Sequence, residues 1–273
     1  PANERQAAIG RIAIVADGAH ALGATRLGKR AGEIADLTTF SFHAVKNFTT
    51  AEGGALAWRP GVFDDDEMYR EIMLMALHGQ TKDALAKTKA GAWEYDIAFP
   101  GWKCNMTDIQ AALGLAQLRR YPGLLARRRA LVARYEEGLA DLPVTTMRHY
   151  ENAQGADAAH ADDETARAET AGFSSSGHLM LVRMPGKTQA FRNALIERMA
   201  LEVVMTNVHY KPLPLLTAYR SMGFAIEDFP NSLAQFENEI TLPLHTKLTD
   251  EDVDRVAACF HEAWRQLETE GVR

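Results

Sequence analysis

Short runs of β-branched and aromatic residues alternate along this chain with longer segments whose apolar positions recur every three or four residues. That mixture predicts an α/β architecture. Residues 12–15 (IAIV) lack polar alternation and read as a buried parallel strand. Residues 37–42 form a second strand, and 55–58 resume an apolar run after the Gly53-Gly54 turn. Gly23, Gly28 and Gly32 punctuate the loop between the first two strands. Residues 66–79 have helical spacing, with Asp64, Asp65 and Asp66 at the end where negative charge is favourable. The methionines of that helix read as core filler. Residues 80–91 are polar and lysine-rich, without a clean period, and read as a mobile surface loop. Thr107 and Gln110 make a Thr-x-x-Gln capping box for a helix that is apolar on most faces and so belongs in a core or an interface. Pro122-Gly123 is expected to interrupt it, with a second helix over residues 124–139.

The carboxyl-terminal half has its own pattern. Residues 178–183 are a strand, 188–200 an amphipathic helix capped by Thr188, and 203–208 a strand leading to His209 and Tyr210. Pro212 and Pro214 prevent regular structure after it. Thr249 and Asp252 cap a final helix of about fifteen residues. This order predicts a small α+β domain. Between the halves, residues 150–176 are rich in Ala, Asp, Glu and Ser with almost no bulky apolar residue, and read as a mobile insertion.

Composition narrows the function classes. The chain has 273 residues, 47% hydrophobic and 24% charged, with a formal net charge of −6. No basic field is available for nucleic acid. No apolar run has the length of a membrane-crossing helix, so no membrane insertion is expected. The first residues lack a signal-peptide pattern, and a cytoplasmic protein is expected. Cys104 and Cys259 are too few for a disulfide framework or a zinc cluster. His149, His160, Asp162 and Asp163 match no ligand spacing, and no metal is expected.

The candidate chemistry centres on residues 38–55. Lys46 sits between two strands with hydroxyls at Ser41, Thr49 and Thr50. A lysine so placed suits a phosphate contact, or an amine that attacks carbonyls. Asp17 ends the first strand, where open α/β sheets bind ligands, although an Asp there also caps turns. His20 follows three residues later.

Five segments, ADGAHALGA, FSFHAVKNFTTAEGGAL, PGWKCNMTDIQAALGLAQL, NVHYKPL and ITLPLHTKLTDEDVDRV, occur in this order. Together they resemble the pyridoxal 5′-phosphate (PLP) dependent sugar aminotransferases of the DegT/StrS type, especially those acting on UDP-linked 4-keto sugars such as the 4-amino-4-deoxyarabinose enzymes. The resemblance covers residues from about 12 to 260. It implies the type I aminotransferase fold: residues 1–121 as the carboxyl-side part of the large PLP-binding domain, and residues 122–273 as a small α+β domain. The amino-terminal half of the large domain, with a further phosphate contact and part of the substrate pocket, is then expected to be missing from residues 1–273.

By the same resemblance, Lys46 forms the Schiff base with PLP, Asp17 pairs with the ring nitrogen, and His20 lies near the ring. Ser41 contacts the phosphate, Asn105 reaches the phosphate of a neighbouring subunit, and His209 approaches the sugar. Related dehydratases carry histidine where this chain has Lys46, so aminotransfer is implied. Expected partners are L-glutamate, a nucleotide-linked keto sugar and a second copy sharing the active site, and the expected role is surface polysaccharide or lipid glycan synthesis. A truncated paralogue serving as a dimerising or regulatory subunit, and a PLP enzyme acting on a cyclitol ketone, fit the same segments.

Overall fold

A computed structural model describes residues 1–81, 94–151 and 172–272. The greater part of the loop expected at 80–91, and of the insertion expected at 150–176, lies outside them. The chain divides into two compact units: Pro1–Leu22 with Lys29–Tyr121, and Gly23–Gly28 with Pro122–Arg273.

In chain order the first stretch gives helix α1 (Glu4–Ile9) and strands β1 (Val15–Asp17), β2 (Thr25–Arg26), β3 (Lys29–Arg30), β4 (Leu37–Ser41) and β5 (Gly54–Trp58), then helix α2 (Asp65–Ala76). In the first unit, β1, β4 and β5 make a mixed sheet. β1 runs parallel to β4 with Asp17 beside Thr39, and β5 runs antiparallel to β4 with Gly54 opposite Ser41. Asp64 caps α2 by accepting the Glu67 amide (2.8 Å). The strand expected at 12–15 is displaced to Val15–Asp17. It is not buried: Ile12 is 84% exposed and Ile14 54%. β1 is an edge of its sheet among the described residues, so one side of it meets no further strand.

Asp36 fixes the other end of that sheet. It is fully buried, and its carboxylate accepts the Ile14 amide (2.8 Å) and both terminal nitrogens of Arg11 (2.7 and 2.9 Å). Arg59, just past β5, pairs with it at 3.1 Å. One side chain thus ties the approach to β1, the start of β4 and the end of β5. The Ile14 amide, then the Arg11 guanidinium, hold this carboxyl below the usual carboxylate range.

Helix α3 (Asp108–Gly138) runs unbroken through Pro122. The expected break does not occur. Proline removes one backbone donor, but the residues after it (LLARRRALVARY) are strong helix formers and their inward face is buried.

The second unit holds β6 (Thr145–Thr146), β7 (Phe173–Ser174), β8 (Met180–Arg183) and β9 (Glu239–Leu242). Its helices are α4 (Gln189–Leu201), α5 (Thr217–Ser221), α6 (Pro230–Asn238) and α7 (Asp250–Thr269). β6, β8 and β9 form an antiparallel sheet. Its core joins Leu131 and Tyr135 of α3, Met180 and Val182 of β8, Phe191 and Leu195 of α4, Ile240 of β9, and Phe260 and Trp264 of α7. Thr188 caps α4, and the Thr249–Asp252 box caps α7, which is 20 residues long and so exceeds the fifteen expected. β2 pairs antiparallel with β7, so residues expected to be plain loop carry a short strand. The strand expected at 203–208 is absent: only Asn207 bridges to Thr241, and Val203 adopts a positive φ of 61°. Pro214 sits in a 3-10 turn, Leu213–Leu215.

His149 is buried, and its Nδ1 lies 2.6 Å from the Ser175 hydroxyl. Burial depresses its pKa from 6.5 to about 4.

Two consequences follow for stability. As pH falls from 6.5 to about 4, the unfolded chain protonates this histidine and the folded chain does not, so stability drops by about 3 kcal/mol. Urea titrations at pH 7 and pH 4.5 will show a smaller difference for His149→Gln than for the parent. Asp36 acts in a lower window. Its lowered pKa contributes stability above its ordinary 3.8 that is lost as pH falls further. Asp36→Asn will lower the urea midpoint at pH 7 and remove this acid-dependent loss.

Candidate active site

The first unit places Asp17 and Ser41 at the carboxyl ends of adjoining parallel strands, Asp17 as the last residue of β1 and Ser41 as the last of β4. Asp17 is exposed, and its Oδ1 accepts the Ala19 amide at 3.0 Å. The turn beyond it is tight because residue 18 is glycine. Gly18 is buried and its amide donates to the Thr39 carbonyl (2.8 Å). A Cβ there would lie 2.7 Å from Thr38 Cγ2 and 2.9 Å from the Thr39 carbonyl oxygen. This close approach turns the chain directly off the sheet, with His20 two residues on and half-buried.

Lys46 lies on the loop from β4 to β5. The Phe42 amide donates to Gly53 (2.8 Å) and the Thr50 amide to Phe42 (3.0 Å). The Thr49 hydroxyl also donates to Phe42 (3.1 Å) and accepts the Ala51 amide (2.9 Å). These bonds close the loop at its base. Within it, the Lys46 amide donates to the His43 carbonyl (2.9 Å), making a turn. Phe48 anchors the far side: it is buried, 4.6 Å from the Phe42 ring and 5.9 Å from Tyr121. Gly114 of α3 leaves the space, since a Cβ there would come 3.0 Å from Thr50 and 3.6 Å from Phe48. Lys46 is therefore a half-buried residue on a loop closed at its base, five positions beyond Ser41. The Ser41 hydroxyl is 3.4 Å from the His43 amide.

Asn105 is exposed, in the segment entering α3. The Lys103 amine donates to its side-chain oxygen. The same segment reaches the lysine loop through Gln110, whose Nε2 donates to the Glu52 carbonyl (2.9 Å). His209 belongs to the second unit. Its Nδ1 lies 2.9 Å from the Thr241 hydroxyl, and its amide donates to Glu239 (3.0 Å). Neither Glu239 nor Thr241 stands out in the sequence, because what distinguishes Glu239 is burial: all four positions of β9 are buried. Among the described residues, no three His, Cys, Asp or Glu side chains cluster as a metal site, and no helix is long and apolar enough to cross a membrane.

Residues 4–261 match the DegT/DnrJ/EryC1/StrS aminotransferase family. The chain belongs to that family. It is 32% identical over 249 residues to the spore coat polysaccharide biosynthesis protein SpsC of Bacillus subtilis, covering 89% of this chain and 57% of SpsC. Among solved structures, the sugar aminotransferase Spr1654 of Streptococcus pneumoniae in its PMP form superposes with a TM-score of 0.84 at 50% identity, covering 96% of this chain and 61% of that one. The PLP form of the same protein matches with a TM-score of 0.82. DesI, solved in the presence of its TDP-sugar product, matches at 26% identity with a TM-score of 0.70, covering 98% of this chain and 60% of DesI. The chain thus spans about three-fifths of the length of these relatives.

The packing at Gly18 gives a direct test. Gly18→Ala will force the turn off β4, lowering stability by about 1–3 kcal/mol in a urea titration.

Proposed function

We propose that this chain carries the lysine-bearing part of a PLP-dependent sugar aminotransferase. It would move an amino group from L-glutamate to a nucleotide-linked keto sugar, specifically a UDP-linked 4-keto sugar, for a surface polysaccharide or lipid glycan. The observation that carries this reading is that Asp17 and Ser41 end adjoining parallel strands, and that the loop leaving Ser41 carries Lys46. Membership of the family, and relatives named for sugar aminotransfer and polysaccharide synthesis, support it.

The donor set fits PLP. Asp17 suits the ring nitrogen, since an ionised carboxylate favours a proton there. The Ser41 hydroxyl suits the phosphate, and Lys46 supplies the amine that bonds the aldehyde. His20, just past the Gly18 turn, is assigned to the edge of the ring. When bound, PLP supplies a carbonyl that carries the amino group and a ring that withdraws electrons. The protein's part is then to hold and move protons. Lys46 would be the group that takes a proton from the substrate carbon and returns it. The fixed base of its loop limits how far that amine strays, which favours such a transfer.

Asn105 is assigned to the phosphate of a second copy. Support for a second copy comes from apolar surface beside it: Trp102 and Ile109 are each 78% exposed, with Leu113 and Leu118 further along α3. Residues 1–121 act as part of the cofactor domain and 122–273 as the small domain, where His209 meets the sugar.

The test is covalent trapping. Incubation of the chain with PLP, borohydride reduction and peptide mass spectrometry will place a single adduct on Lys46, and Lys46→Ala will carry none. Lys46→Ala will also lower turnover of glutamate with a UDP-linked 4-keto sugar by at least about 10²-fold. No adduct, or adducts scattered over surface lysines, would overturn the reading.

A further inference from the structure

The side chain behind His209 is a buried carboxylate. Glu239 opens β9, is 1% exposed, and uses both oxygens. Oε2 accepts the His209 amide at 3.0 Å, and Oε1 accepts the Thr241 hydroxyl at 2.6 Å. The second distance is in the range of a charge-assisted O–H···O⁻ bond. Because the hydroxyl proton is committed to Glu239, the Thr241 oxygen is left to accept, and the group facing it at 2.9 Å is His209 Nδ1. Two backbone bonds hold the register: Asn207 N–H to Thr241 O (3.0 Å) and Thr241 N–H to Asn207 O (2.7 Å). Behind Glu239, buried Arg192 donates to the Phe236 carbonyl (2.7 Å) and contributes positive charge.

We infer that Glu239 is a positioning residue that acts through Thr241 to hold His209 as its Nδ1–H tautomer, in which Nε2 is the accepting nitrogen of the ring. The relay stands on the geometry; its bearing on the sugar rests on the reading of His209 as a sugar contact. A neutral imidazole has one donor and one acceptor nitrogen, and the partner of one decides the role of the other. Glu239, with no proton to give when ionised, sets the direction of the whole chain of bonds. Burial raises its carboxyl pKa, while the Thr241 hydroxyl, the His209 amide and Arg192 all oppose that shift.

Glutamine in place of Glu239 has nearly the same shape but opposite consequences. Its oxygen must still accept the His209 amide, so its NH₂ faces Thr241 and donates. The Thr241 hydroxyl then turns its proton toward His209 Nδ1, and the ring takes the Nε2–H form.

The experiment is two-bond ¹H–¹⁵N correlation NMR on the ¹⁵N-histidine-labelled chain, at a pH where the ring is neutral. His209 is assigned by the signals lost in His209→Gln. The parent and Thr241→Ser will show the Nδ1–H pattern, and Glu239→Gln will exchange the two nitrogen shifts. Should Glu239→Gln fail to fold, Thr241→Val removes the relay in a side chain of similar shape and will leave a mixture of tautomers. An Nε2–H ring in the parent, or a His209 tautomer unchanged in Glu239→Gln or in Thr241→Val, would overturn the inference. The measurement needs neither cofactor nor sugar, so it fails independently of the aminotransferase reading, which the Lys46 adduct tests.

Discussion

Asp36 holds a negative charge with no exposed surface, a state that is costly unless donors replace the lost water. Here the Ile14 amide, two nitrogens of Arg11 and one of Arg59 surround it. The consequence is positional. Side chains in a strand alternate between faces, so a slip of one residue between β1 and β4 would send Asp17 to the opposite face. By tying residue 14 to residue 36, this carboxylate sets the register in which Val15 meets Leu37 and Asp17 meets Thr39. The placement of Asp17 relative to Ser41 at the other end of the sheet is a result of that bond.

The loop that carries Lys46 depends on a second constraint, the close approach of backbone to backbone. Gly54 faces the Phe40 carbonyl at 2.6 Å from where a Cβ would stand, and Gly114 opens α3 for Thr50 and Phe48. Small residues at these points let the loop fold onto its own support, and the aromatic anchor Phe48 keeps it there. The loop is held by packing as well as by its hydrogen bonds, which suits an amine that must return to one place.

Glu239 repeats in the second unit what Asp36 does in the first. A buried carboxylate collects one donor from its own strand, the Thr241 hydroxyl, and one from a distant segment, the His209 amide, and fixes a backbone that is not itself a regular strand. Residues 203–208 do not form the strand their β-branched residues suggest, because only Asn207 finds a ladder partner on β9. The segment is ordered by Glu239 and Thr241 instead.

Much of this was legible in the chain. Leu37–Ser41 reads as a strand because β-branched and aromatic residues suit a pleated surface, and α2, α4 and α7 announce themselves by Asp64, Thr188 and Thr249 at their caps. The five segments shared with the family also place it, because each is a contiguous run. What the chain could not state was which distant residues meet. Pro122 looks like a break and is not one, since burial of the following turns outweighs one lost hydrogen bond. Asp36 and Glu239 look like ordinary loop and surface charges; they become structural centres only where the fold removes water and brings Arg11 and Arg59 to the one and His209 to the other. Local propensity and capping are encoded over a few neighbouring residues, whereas desolvation of a charge is a property of everything packed around it, so the tertiary structure alone decided these two sites.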